Sequence, residues 1–126
     1  MGQYQQLQVW RKGKELAVWI YRNTQDGEFS RDFGLRDQIR RAAVSIPSNI
    51  AEGDELNTNA QAIRHFYIAR GSAAEVLTQG LIAWEIGYLT QAQHQHIEQE
   101  CNLIARMLTR LIQKRSNQPS RSHASL

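Results

Sequence analysis

The stretch "RRAAVSIPSNIAEGD" (Arg40–Asp54) decides how this chain is read. Leu35, Ile39, Ala42, Ala43, Ile46 and Ile50 recur at helical spacing on both sides of Pro47. One apolar face therefore runs through a residue that normally ends or bends a helix. Proline offers no N–H to the carbonyl of Ala43, and its ring crowds that carbonyl, at a cost of ~3 kcal/mol or more in an ordinary helix. Because the stripe stays in phase, the helix is expected to kink at Pro47 and resume. The hydroxyls of Ser45 and Ser48 suit backbone groups freed at a kink. Asn49 and Glu52 share a face near Ser45, within reach of Arg41 or a neighbouring helix. Gly53 reads as a C-cap. Pro47, Ser45, Ser48, Asn49, Glu52 and Gly53 thus form a structural motif, with the shaping of a partner-binding surface as the open alternative.

Outward from this helix, the rest of the chain is also helical. No segment shows the period-two alternation of a strand. Four helices are expected, at about 5–23, 33–53, 58–87 and 90–115. The first carries Leu7, Trp10, Ala17 and Tyr21 on one stripe and Val9, Leu16 and Ile20 on another; "TQDGEF" follows as a turn broken by Gly27. The third begins in "NTNA", where Asn57, Thr58 and Asn59 are all possible N-caps, and ends at Gly87. Its stripe reads Ile63, Phe66, Tyr67, Ala73, Ala74, Leu77, Leu81, Trp84. The fourth opens on Thr90 and Gln93, a capping-box pair, and its stripe Ile97, Cys101, Ile104, Leu108, Leu111 has bundle spacing. Residues 1–115 are therefore expected to form one all-α domain, an antiparallel up-and-down four-helix bundle with a proline kink in its second helix. The polar residues 116–126 are expected to be a disordered tail.

No catalytic constellation accompanies this scaffold. There is no Gly-rich phosphate loop, no His-Glu-x-x-His and no Glu three residues before a His, as di-iron bundles require. His94 and His96 point to different faces, and the single cysteine, Cys101, sits on an apolar stripe. The expectation is a protein that is not an enzyme and has no metal and no cofactor. The longest apolar run is the six-residue "LAVWIY", and nothing resembles a signal peptide, so a cytoplasmic protein without a membrane partner is expected.

Charge is more informative than its net value of +3. Residues 101–126 hold five bases and no acid, whereas residues 1–100 hold 10 bases and 12 acids. Arg106, Arg110, Lys114 and Arg115, with Arg36, Arg40 and Arg41 on the second helix, are the candidate nucleic-acid-binding residues. Arg11, Lys12, Lys14, Arg64 and Arg70 are weaker groups. Nothing in the pattern reads bases, so recognition of shape and backbone is expected, with RNA or DNA as the polyanion. The first helix and "LIAWEIGYL" are more apolar than one bundle needs. Trp10, Trp19, Tyr21, Trp84 and Tyr88 are the candidate contacts between copies of the chain, which are expected to form a homo-oligomer.

Three stretches carry a family resemblance. "QIRRAAVSIPSNIAEG" (Gln38–Gly53) resembles the signature of the S23, or 23S rRNA intervening-sequence, proteins, a family of small four-helix bundles. "LQVWRKGKELAVWIY" resembles that family's first helix, and "YIARGSAAEVLTQGLIAWEIGYL" its third. The resemblance spans about residues 5–113, with Asp54 and Glu55 standing where the family tends to be basic. It implies a homopentameric ring, RNA binding and no catalytic residues. The ring is similar to the accessory variability determinant of diversity-generating retroelements, so an accessory subunit or scaffold for a reverse transcriptase is the alternative function.

Overall fold

A computed structural model describes residues 3–56 and 58–118. Among these, five α-helices follow a 3-10 turn at Tyr4–Gln6, and there is no strand. The helices are α1 (Gln8–Asn23), α2 (Gly27–Arg31), α3 (Phe33–Glu55), α4 (Asn59–Glu85) and α5 (Gln91–Ser116). Four of them are long, whereas α2 is short: it begins within "TQDGEF", where only a turn was expected, at Gly27 with φ +74°, and runs past it to Arg31. Asn117 and Gln118 follow α5. The rest of the expected tail, 119–126, and the candidate cap Asn57 lie outside the described residues.

Local chemistry explains the boundaries. Asp32 caps α3 by accepting from the Leu35 N–H at 3.1 Å, and Thr58 caps α4 by accepting from Gln61 at 3.2 Å. At α5 the capping box is complete: Thr90 accepts from Gln93 N–H at 3.1 Å, and the Gln93 side chain accepts from Thr90 N–H at 2.8 Å. Each such cap is worth ~1 kcal/mol. α4 stops where Gly87 takes φ +91°, with Tyr88 N–H donating to the Ala83 carbonyl and Gly87 N–H to Trp84. That pair of bonds is the left-handed glycine stop expected there.

The core lies where α3 packs on α1 and α4, and α4 on α5. Leu16, Ile20, Ile39, Ala43, Ile46, Ile50, Phe66, Ile97, Ile104 and Leu108 are its buried centre. Two expectations are corrected. The α4 stripe is rotated: Ala62, Phe66, Ala69, Ala73, Val76, Gly80 and Ala83 face inward, whereas Tyr67, Ala74, Leu81 and Trp84 are exposed. Small residues win because neighbouring helices approach closely; a Cβ on Gly80 would meet Ile97 at 3.1 Å. Gly53 is no C-cap. It lies buried inside α3, which runs on to Glu55, and a Cβ there would meet Phe66 and His65 at 3.0 Å.

α3 is assigned as one helix through Pro47. α1 crosses it there at Gly13, where a Cβ would come within 2.9 Å of Ile46 and 3.4 Å of the proline ring. The neighbouring polar residues turn toward α4. Ser45 Oγ meets Ser72 Oγ at 2.8 Å, and Asn49 Nδ2 donates to both the carbonyl and the hydroxyl of Ser45. Asn49 Oδ1 then accepts from His65 Nδ1 at 3.0 Å, and Glu52 stands 3.8 Å from the same nitrogen. Ser48 is exposed. The motif thus joins two helices, rather than only repairing a backbone.

Candidate nucleic-acid interface

The seven candidate cations divide by their surroundings. Arg36 donates to the Ser30 carbonyl at 2.9 Å, pairs with Asp37 at 3.0 Å and covers the Phe33 ring. Arg40 donates to Thr24 Oγ1 at 2.8 Å and to the Tyr21 carbonyl at 3.4 Å, with its guanidinium 4.5 Å from the Tyr21 ring. Both fasten α3 to the chain around the end of α1. Arg41 alone of the three is exposed, beside a shallow depression with Tyr21, Asp37 and Val44.

Arg115 is fastened more deeply. Its side chain is 12% exposed and meets Asp54, itself 5% exposed, at 2.5 Å. Its guanidinium also lies over the Phe66 ring. Asp54 is thus the counterion of a largely buried arginine. Arg115 is committed to this pair, and its Nη1 is buried without a hydrogen bond.

Arg106, Arg110 and Lys114 remain exposed along α5. Arg110 lines a groove of about 400 Å3 between α1 and α5, together with Arg11, Lys12, Glu15, Leu103 and Met107. Lys12 reaches Glu100 at 3.4 Å across the same helix pair. On its other side Arg110 shares a second depression with Ala105, Arg106 and Thr109. Thr109 accepts from Arg70 of α4 at 3.1 Å. A basic strip therefore crosses α5, drawing cations from three helices. Sequence reading missed this convergence, although Arg106 and Arg110 at i, i+4 with Thr109 between them were a visible start.

The aromatic candidates also divide. Trp10 and Trp19 are partly buried against the core, the first beside Tyr4 and the second against His96. Tyr88 stacks on Phe29 at 5.3 Å and donates its hydroxyl to Asp32 at 2.9 Å. That hydrogen bond, then partial burial and the charges of Asp32 and Glu28, push its phenol pKa upward. Trp84 lies flat on His94 at 4.5 Å with its outer side exposed, and Tyr21 is exposed beneath Arg40. Tyr21 and Trp84 each belong to a wider apolar exposure. Val18, Tyr21 and Val44, with Ala17 and Pro47, line a groove of about 420 Å3 between α1 and α3. Ile68, Leu81, Ile82 and Ile86 project from α4 and its end.

Among the described residues no three His, Cys, Asp or Glu side chains gather as a metal site, and no helix is long and apolar enough to cross a membrane. Cys101 is buried, which pushes its thiol up to about 12, with Glu100 adding to the shift.

Comparison with known proteins follows the same lines. A family model described as the 23S rRNA-intervening sequence protein matches residues 5–110. A solved structure from the S23 ribosomal protein family of Bacteroides thetaiotaomicron VPI-5482, a protein of unknown function, superposes with a TM-score of 0.76. The two are 27% identical, over 82% of this chain and 97% of that one. No curated protein sequence matches.

Proposed function

The chain belongs to the family of 23S rRNA-intervening sequence proteins, and on that premise we propose that it is a non-enzymatic nucleic-acid-binding protein that takes structured RNA on its basic surface. The observation that carries this reading is the strip across α5. Arg106 and Arg110 are exposed there, with Arg11 and Lys12 beside them and Arg70 fixed on the other side. Several cations converging on one face are what backbone phosphates need. RNA retention on the purified protein, followed as salt is raised, is the test. Steep loss of binding with salt supports the reading, and absence of binding at low salt defeats it.

The long helices are proposed to run as an antiparallel four-helix bundle, with α3 bent at Pro47, and copies of the chain to close into a ring. The ring reading rests on two different exposed apolar faces, the α1/α3 groove and the α4 isoleucines. Unlike faces on one chain favour head-to-tail contact, which closes into a ring when the rotation allows. A pentamer is the proposed size, and light scattering measures it. The same apolar faces support the second reading, an accessory subunit whose partner is a reverse transcriptase. A monomer in solution, with a reverse-transcriptase gene beside this one, would favour that partner over a second copy.

A further inference from the structure

Between α4 and α5 lies a slot of about 320 Å3, at the small end of the ~300–1,000 Å3 typical of ligand pockets. Ala73 and Cys101, both buried, lie deepest in it, and Tyr67, Gly71, Ala74 and Asn102, all exposed, form its mouth. The slot exists because the mouth residues between its aromatic and amide ends are glycine and alanine. A Cβ built on Gly71 would meet nothing within 4 Å.

Its chemistry is unlike that of the apolar groove between α1 and α3. Arg70 lays its guanidinium 4.7 Å from the Tyr67 ring centre, and a hydrogen bond to Thr109 at 3.1 Å holds it. A flat cationic group and a half-exposed phenol ring are thus fixed one over the other. No carboxylate lines the slot. The Cys101 thiol beneath stays protonated at neutral pH, so no anion forms there either. Asn102 places an amide, with donors and an acceptor, at the mouth. Ala105 is shared with the adjoining depression that holds Arg106, Thr109 and Arg110.

We propose that this slot takes an unpaired RNA base, stacked on the Tyr67–Arg70 pair, with the flanking phosphates on Arg106 and Arg110. The proposal rests on the nucleic-acid reading above and sharpens it from structured RNA in general to RNA with an unpaired segment. Aromatic rings and arginine planes stack on bases only where the base has left its helix. Such stacking tolerates any base, and Asn102 adds a hydrogen-bonding edge at the mouth.

The test compares a short oligoadenylate with an RNA duplex of the same length, on the full chain. Tyr67→Ala removes the stacking ring. Gly71→Leu fills the slot and is safe for folding, because the site has open space and leucine is the better helix former. Each substitution is expected to weaken oligoadenylate binding by about tenfold, leaving duplex binding and the salt dependence unchanged. The slot proposal is overturned if both variants bind oligoadenylate as wild type does, or if they lose duplex binding equally. Arg106→Glu with Arg110→Glu, which should weaken both RNAs together, tests the broader reading separately. A wild-type protein that binds neither RNA at low salt overturns both.

Discussion

Arg36 and Arg40 on α3 and Arg106 and Arg110 on α5 look alike in sequence, each pair spaced by one helical turn. In space they do opposite things. The first pair lies against chain that presents the carbonyls of Ser30 and Tyr21 and the hydroxyl of Thr24, and it binds inward. The second pair faces grooves whose walls are mostly other cations and apolar side chains, and it points outward. An arginine's availability is therefore set by the acceptors around it rather than by its own charge. A helix that borders a turn offers acceptors; the middle of a long helix has its carbonyls already bonded.

The sharpest way to break this comparison is at Arg115, the arginine on α5 that behaves like the α3 pair. Asp54→Ala strands a buried guanidinium and should cost ~3–5 kcal/mol in urea unfolding. Arg110→Ala, five residues away, should change stability by less than ~0.5 kcal/mol. Equal stability of the two variants would end the distinction between fastened and outward arginines. Next in size, Arg106→Glu with Arg110→Glu should reduce RNA affinity at least tenfold at low salt. It should also flatten the salt dependence by about 1.5 in slope, with the urea midpoint held.

Arg40→Ala should show the converse, a loss of about 1–2 kcal/mol in stability with RNA affinity changed less than about twofold. If affinity falls while stability holds, Arg40 belongs to the outward class. A last effect, absent at neutral pH, lies beneath the α4/α5 slot at Cys101. Its thiol rises from 9.0 to about 12 on folding, so the folded chain keeps a proton that the unfolded chain releases. This contribution to stability is full below pH 9.0 and is lost as pH rises toward about 12, at on the order of 1 kcal/mol per pH unit. Cys101→Ala should lack that part of the alkaline loss. An identical pH profile for the variant would mean that water reaches the thiol.

Much of the fold was legible because its signals are local. Thr90 with Gln93, and Gly87 at the end of α4, involve residues three to five apart, and their chemistry admits few alternatives. Features that depend on a second helix were not legible. Gly53 looks the same in sequence whether it turns the chain or lets Phe66 approach, and only the packing decides. The α4 stripe departs from expectation for a related reason: Tyr67, Leu81 and Trp84 are the large apolar residues, but a helix between two close neighbours buries alanines. At the site, Arg106 and Arg110 were identifiable, whereas Arg70 and Lys12 join them only through the arrangement of three helices. Arg115 was indistinguishable from Lys114 until Asp54 stood opposite it.

The crossing of α1 over α3 at Gly13 has a consequence for competing arrangements of the same chain. α1 carries apolar residues on nearly every turn, so sliding it along α3 by one turn, ~5.4 Å, would still bury hydrophobic surface. Such a slip would bring Val9 or Ala17 to the place where a Cβ meets Ile46 at 2.9 Å beside the ring of Pro47. The Ile46 methyl belongs to a β-branched side chain with little freedom to turn away. Gly13 and Ile46 together therefore act as a notch and a tooth, which favour one registration of the two helices over its neighbours.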